Sequence, residues 1–140
     1  MIHAQSEKNV AVVVPVSIGA ATATSLVVDT LGYKYVKYVL TTGAGVVTAT
    51  EFSVTECATS GGSYTAVTGS ASIVLPGAED NGLNYGIMMQ IVGARLQYQK
   101  VVLIAASTAG LYTVNAVLSN ADEVPITAAA RGLAGQILIA

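Results

Sequence analysis

Residues 33–55 read YKYVKYVLTTGAGVVTATEFSVT, and this stretch decides the fold class. β-Branched and aromatic residues dominate it, which favours strands over helices. In its second half, Phe52 and Val54 lie on one face of an extended chain, and the polar residues Glu51, Ser53 and Thr55 lie on the other. Gly43 and Gly45 interrupt the pattern, as glycines do at turns. The stretch therefore predicts two β-strands joined by a glycine-containing turn.

The same rhythm continues in both directions, with turn-forming residues about every ten positions. The predicted strands are Val10–Ile18, Ser25–Asp29, Tyr33–Thr41, Glu51–Thr55, Tyr64–Val67, Ser72–Leu75, Tyr85–Val92, Leu96–Ala105 and Tyr112–Leu118. Regularly spaced short strands are typical of antiparallel sandwiches and jelly rolls. We therefore expect an all-β protein with a single β-sandwich or jelly-roll-like domain over residues 10–124. Residues 1–9 and 125–140 lack strand alternation and are predicted to be N- and C-terminal arms.

Composition indicates a surface that other proteins cover. Only 10% of the 140 residues are charged, against roughly 25% in an average protein, and 53% are hydrophobic. Such a surface favours self-association or burial against a partner. The net charge of −2 gives no basic field for nucleic acid. The long uncharged stretches are broken by Pro, Gly and Asn, so we expect no membrane span.

Residues able to carry out chemistry are few and scattered. His3 is the single histidine and Cys57 the single cysteine, so neither a zinc site nor an intrachain disulfide can be composed from them. A lone cysteine most often behaves as a small buried hydrophobe. The acidic pair Glu79 and Asp80 precedes Asn81 and Gly82, which is the composition of a polar turn. We therefore expect no enzymatic activity, no catalytic residues, no metal and no cofactor.

Three tyrosines interleaved with lysines mark a candidate contact strand. Tyr33, Tyr35 and Tyr38 stand beside Lys34 and Lys37. Tyrosine is enriched in protein–protein contacts, although an aromatic face can also bind sugar. Alternation predicts that Tyr33 and Tyr35 share one face of the strand and that Tyr38 takes the other, with at least one face in the core.

The C-terminal arm is a second candidate contact. It ends in the apolar run Ile137-Leu138-Ile139, and Arg131 could anchor the same segment through polar contacts. An unpaired apolar segment tends to pair with a neighbouring chain. We expect both arms to be held by partners, and deletion of residues 126–140 to weaken assembly while leaving the domain folded.

Five motifs in a fixed order go beyond fold class. They are Val28-Asp29-Thr30-Leu31-Gly32-Tyr33-Lys34-Tyr35-Val36, Phe52-Ser53-Val54-Thr55-Glu56, Ser60-Gly61-Gly62-Ser63-Tyr64, Val67-Thr68-Gly69 and Arg95-Leu96-Gln97-Tyr98-Gln99-Lys100-Val101. Over residues 28–118 this order resembles small β-proteins encoded near the capsid genes of tailed phages, the head decoration or cement proteins.

The resemblance implies a structural virion protein that is made in the host cytoplasm and stabilises the capsid from outside. Its partner would be the major capsid protein, and it would form a homo-oligomer, with a trimer favoured. Neither nucleic acid nor membrane would be bound. Two alternatives stay open: another head or tail component, and a carbohydrate-binding or adhesive β-module.

Overall fold

The computed structural model describes residues 6–45, 48–67, 72–75, 82–91, 93, 95–106, 108–121, 129–132 and 134. These contain nine β-strands and one short 3-10 helix, Ala129–Arg131. The strands are β1 Lys8–Ile18, β2 Val28–Asp29, β3 Tyr33–Gly45, β4 Ala49–Cys57, β5 Thr65–Ala66, β6 Ile73–Leu75, β7 Asn84–Gln90, β8 Tyr98–Ala105 and β9 Gly110–Ala121. Within the described part of the chain, no helix is long and apolar enough to cross a membrane.

The strands form two antiparallel sheets that pack against each other. Sheet A has the order β1-β9-β3-β7. Sheet B has the order β2-β8-β4, and both β5 and β6 pair with the far edge of β4. There β5 pairs with Thr55 and Glu56, while β6 pairs with Ala49 and Phe52. The two short strands therefore share one strand position.

The pairing is nested along the chain, and this defines the topology. Strand β1 pairs with β9, β2 with β8, β3 with β7, and β4 with β5 and β6. The first four strands alternate between the sheets, and the later strands return along them in reverse order. Two antiparallel sheets of four strand positions each, connected in this nested order, form a jelly roll. The predicted all-β sandwich is confirmed.

The core lies between the sheets because side chains alternate along each strand. In sheet A, Val36, Tyr38 and Leu40 of β3 are buried. Sheet B contributes Phe52 and Leu103, which lie opposite each other on β4 and β8 and are fully buried. Strand β9 pairs on both of its edges, and its residues 112, 114, 116 and 118 complete the core.

All nine predicted strands are present, but one predicted turn is wrong. The sequence predicts that β3 ends in a turn at residues 42–45, but these residues belong to the strand. They pair with β9, Thr42 opposite Tyr112 and Gly45 opposite Gly110, with an irregularity between these pairs. Pairing with β9, a central strand of sheet A, keeps this glycine-containing segment extended.

The predicted arms are partly attached to the domain itself. Strand β1 begins at Lys8, which pairs with Leu118, so Lys8 and Asn9 belong to sheet A. The 3-10 helix of the predicted C-terminal arm contacts β1, and Gly132 lies against the backbone of Asn9. Lys8 and Asn9 therefore belong to the sandwich, and residues 129–132 contact it. That partners hold the arms stays a prediction.

Candidate functional site

The outward side chains of sheet A form a broad surface, which we call the outer face. Because Val36, Tyr38 and Leu40 point into the core, their odd-numbered neighbours on β3 point outward. The register places Lys37 between Met88 of β7 and Val117 of β9. The outer face comprises Asn9, Ala11 and Ser17 of β1, Tyr35, Lys37, Val39 and Thr41 of β3, Asn84, Gly86, Met88 and Gln90 of β7, and Leu111, Thr113, Asn115, Val117 and Ser119 of β9.

Low charge distinguishes the outer face. Lys37 is the one charged residue in this set, and the others are apolar, hydroxyl or amide side chains. Several of the apolar ones are open to solvent: Met88 is 78% exposed, Tyr35 45% and Leu111 43%. Depletion of charge with retained aromatic and Met side chains is the pattern of a protein contact. The outer face is therefore chemically suited to packing against another protein.

A shallow groove of about 400 Å³ crosses one end of the outer face. Tyr35 and Met88 line it, together with Gln90, Ser119 and Glu7. An exposed aromatic ring is thus surrounded by an amide, a hydroxyl and a carboxylate. The ring of Tyr35 can stack against a flat apolar surface, and the polar groups around it can form hydrogen bonds at the rim of the groove.

The three predicted contact tyrosines have three different environments. Tyr35 lies on the outer face, as a contact residue should. Tyr33 is partly buried and packs at the margin of the core, and burial raises the pKa of its hydroxyl. Tyr38 is fully buried, so its predicted role in a contact is wrong, because its ring fills the core of its own chain. Tyr33 and Tyr35 therefore do not form a shared exposed surface.

The C-terminal contact residues have no described side chains. Arg131 is the last residue of the 3-10 helix, and its backbone is placed beside β1. Its side chain, like Ile137, Leu138 and Ile139, lies outside the described part of the structure. Their role in contacts stays a prediction.

A buried polar cluster on the inner side of sheet B was missed by the sequence reasoning. Glu56 opposes Gln99 in the β4–β8 ladder, and both side chains are buried. The Glu56 carboxylate lies 3.4 Å from Nη1 of Arg95 and accepts a 3.0 Å hydrogen bond from the Leu96 amide. The signal was in the sequence, since Glu56 continues the inward alternation of Phe52 and Val54. Pairing makes burial of this carboxylate tolerable.

The outer side of sheet B carries the charged residues Glu51 and Lys100. Lys100 of β8 places its ammonium 4.5 Å from the ring centroid of Tyr64, a cation–π contact. Cys57 is a buried free thiol at the end of β4, as predicted, and the Gly62 backbone lies close above its sulfur.

Within the described residues, no group of three or more His, Cys, Asp or Glu side chains is placed to hold a metal ion. The chain matches no protein-family model and no curated protein sequence.

Proposed function

We propose that this chain is a structural virion protein, a decoration or cement protein that binds the outside of a tailed-phage head and stabilises it. The observation that supports this best is the outer face of sheet A, which joins four strands into one nearly uncharged surface. Its partner is the major capsid protein, and the chain acts as a homo-oligomer.

The architecture fits this proposal by analogy. Jelly rolls are common in viral capsid proteins, although the same fold also serves lectins and cupins. A rigid two-sheet domain with buried side chains on every long strand can bear load without a cofactor. The low charge of the outer face avoids the desolvation of ionised groups that would otherwise oppose packing on a neighbour.

Co-sedimentation with capsids tests the proposal. The proposal predicts that a major capsid gene lies beside the gene for this chain. That capsid protein is assembled into expanded heads, and the purified chain is added before a density gradient. We expect stoichiometric binding of the wild type. Failure of the wild type to co-sediment would contradict the proposal.

A matched pair of substitutions locates the contact. Val117→Lys places a charge at the centre of the outer face, and Val102→Lys places the same charge on the outward side of β8 in sheet B. Both valines are partly exposed, so thermal melting should show that both variants fold. We expect Val117→Lys to weaken capsid binding at least tenfold and Val102→Lys to leave it unchanged. Equal binding by both would show that the outer face is not the contact.

A second candidate function is glycan binding, and the groove beside Tyr35 is the observation that favours it. The ring is exposed, and Gln90 and Ser119 offer hydrogen-bonding groups next to it. A glycan array probed with the wild type and with Tyr35→Ala separates the two functions. Retention of the wild type on a glycan, lost in Tyr35→Ala, together with no capsid binding, would establish the sugar-binding module instead.

A further inference from the structure

Strand β7 is the edge of sheet A among the described residues, and it lacks the usual protection of an edge. It pairs with β3 in an uninterrupted register from Asn84 opposite Thr41 to Gln90 opposite Tyr35. Its sequence, NYGIMMQ, contains no charge and no proline. Edge strands of soluble proteins normally carry charges, prolines or bulges that prevent pairing with other chains. A strand of another chain can therefore form hydrogen bonds with this regular, uncharged edge.

Two hydrogen bonds fix which peptide groups face this edge. The Ile91 amide donates to the Lys34 carbonyl, and the Thr42 amide donates to the Leu83 carbonyl. In an antiparallel ladder the hydrogen-bonded pairs alternate with non-bonded ones. Since residues 83 and 91 are bonded to β3, residues 85, 87 and 89 are too. The peptide groups of residues 84, 86, 88 and 90 therefore point away from the sheet.

We propose that β7 pairs antiparallel with β7 of a second copy of this chain, around a two-fold axis at Ile87. This register places residue 84 opposite residue 90 of the second copy, and residue 86 opposite residue 88. It is the one symmetric register that uses all four edge-facing residues, and it joins the two A sheets into one eight-stranded sheet. Because the contact is isologous, the assembly closes as a dimer.

Side chains on the outer face are complementary in this register. Met88, which is 78% exposed in the single chain, lies across from Gly86 of the second copy. A Cβ added at Gly86 would meet nothing closer than the Tyr38 carbonyl at 3.8 Å, so the fold of one chain does not require glycine there. Glycine inside a strand lowers stability and often marks a place where another chain approaches. The empty space above Gly86 accepts the methionine of the partner copy.

The remaining pairs match as well. Asn84 lies opposite Gln90 of the second copy, and two side-chain amides can each donate and accept. On the inner side Ile87 meets its own symmetry mate, and Tyr85 meets Met89. These three side chains are only partly buried at the margin of the core. A second copy would cover their exposed parts, so the apolar interior would continue across the interface.

The inference goes beyond the proposed function and does not depend on it, because the dimer forms in the absence of a capsid. It also replaces the trimer implied by the phage resemblance with a two-fold assembly. A single strand pair is a small contact by the standard of about 1,600 Å² for stable interfaces. Dissociation on dilution is therefore expected.

Sedimentation velocity of the purified chain over a wide concentration range is the first test. We expect a monomer–dimer equilibrium between the 14.2 kDa chain and twice that mass. Gly86→Val should raise the dissociation constant of the dimer at least tenfold, because the valine side chain occupies the space that Met88 of the second copy would fill. Its melting temperature at low concentration should be equal to or higher than that of the wild-type monomer, since valine favours a strand. A monomer at every concentration, a trimer, or a dimer unaffected by Gly86→Val would overturn the proposal.

Cross-linking tests the register independently of affinity. In a Cys57→Ala background, Ile87→Cys brings two thiols together at the two-fold axis, where opposed Cα atoms of a non-bonded pair lie about 4.5 Å apart. The matched variant Met89→Cys is on the same strand and the same side. Its thiol opposes Tyr85 of the second copy and lies roughly 14 Å along the strand from its symmetry mate. We expect rapid disulfide formation for Ile87→Cys alone. Equal rates for the two variants would exclude this register.

Discussion

The hydroxyl of Tyr38 donates a 2.7 Å hydrogen bond to Oε1 of Gln99, and this bond joins the two sheets through the core. Tyr38 belongs to β3 of sheet A and Gln99 to β8 of sheet B, and both side chains are fully buried. The Gln99 amide nitrogen also approaches the sulfur of Met89 at 3.9 Å. A glutamine can occupy this apolar interior because its polar atoms have partners.

Removing the Tyr38 hydroxyl should destabilise the fold. Tyr38→Phe keeps the ring but leaves Oε1 of Gln99 without its donor, and a buried unpaired acceptor costs about 1–3 kcal/mol. We expect a loss of this size in the free energy of unfolding measured by urea denaturation. Tyr35→Phe is the control, because Tyr35 is exposed, and it should change the free energy by less than about 0.5 kcal/mol. In the double variant Tyr38→Phe with Gln99→Leu, part of the lost stability should return.

Stability should also fall in alkali because of Tyr38. Burial raises the pKa of its hydroxyl far above the ordinary value of 10.0. The folded state therefore keeps this proton at pH values where the unfolded state loses it. The contribution of the protonated Tyr38 hydroxyl to the free energy of unfolding is fully present below pH 10. Above pH 10 it decreases by about 1.4 kcal/mol per pH unit. Urea denaturation between pH 9 and 11 should show a shallower decline in Tyr38→Phe than in the wild type. Parallel curves for the two proteins would contradict the assignment.

The charge of the Glu56 carboxylate should contribute to the free energy of unfolding. It is buried and pairs with Arg95, whose side chain is 25% exposed. Because water partly screens the pair, Glu56→Gln should cost about 1–2 kcal/mol, less than a fully buried ion pair. Glu51→Gln is the matched control on the same strand, since Glu51 points outward and accepts from the Ser53 hydroxyl. If the two substitutions cost the same free energy, the pairing with Arg95 is not what stabilises this region.

The strands could be predicted from the sequence because alternation and turn residues are local signals. Phe52 and Val54 on β4 illustrate this, as both are fully buried. The glycines of residues 42–45 misled the prediction because their extended conformation depends on pairing with β9, which follows about 70 residues later. Long-range pairing of this kind leaves no mark on the segment itself.

The candidate site was predictable only in part. Alternation correctly separated Tyr35 from Tyr38, yet it could not say which face was covered by a second sheet. Tyr33 departs from its face because the start of β3 lies at the margin of the core. The edge position of β7, and hence the open space above Gly86, follows from the strand order. Strand order is a property of the whole fold and is not visible in the seven residues of β7.

Gly132 offers the last test, since its backbone lies against Asn9 of β1. Its φ is +71°, and a Cβ added there would overlap the Asn9 carbonyl oxygen. Gly132→Ala should therefore detach residues 129–132 from β1. Gly82 is the matched control, because it has the same φ but no atom within 4 Å of an added Cβ. Gly82→Ala should show only the backbone strain, about 1–2 kcal/mol.

For Gly132→Ala, the loss in free energy of unfolding cannot exceed what the segment contributes, and deletion of residues 126–140 measures that contribution. We expect the two variants to lose equal stability, and both to remain folded because β9 ends at Ala121. Hydrogen exchange should speed up at the amides near Asn9 in both variants and stay unchanged in Gly82→Ala. An unfolded deletion variant would show that the sandwich depends on this segment. Unchanged exchange near Asn9 in Gly132→Ala would show that the segment does not hold β1.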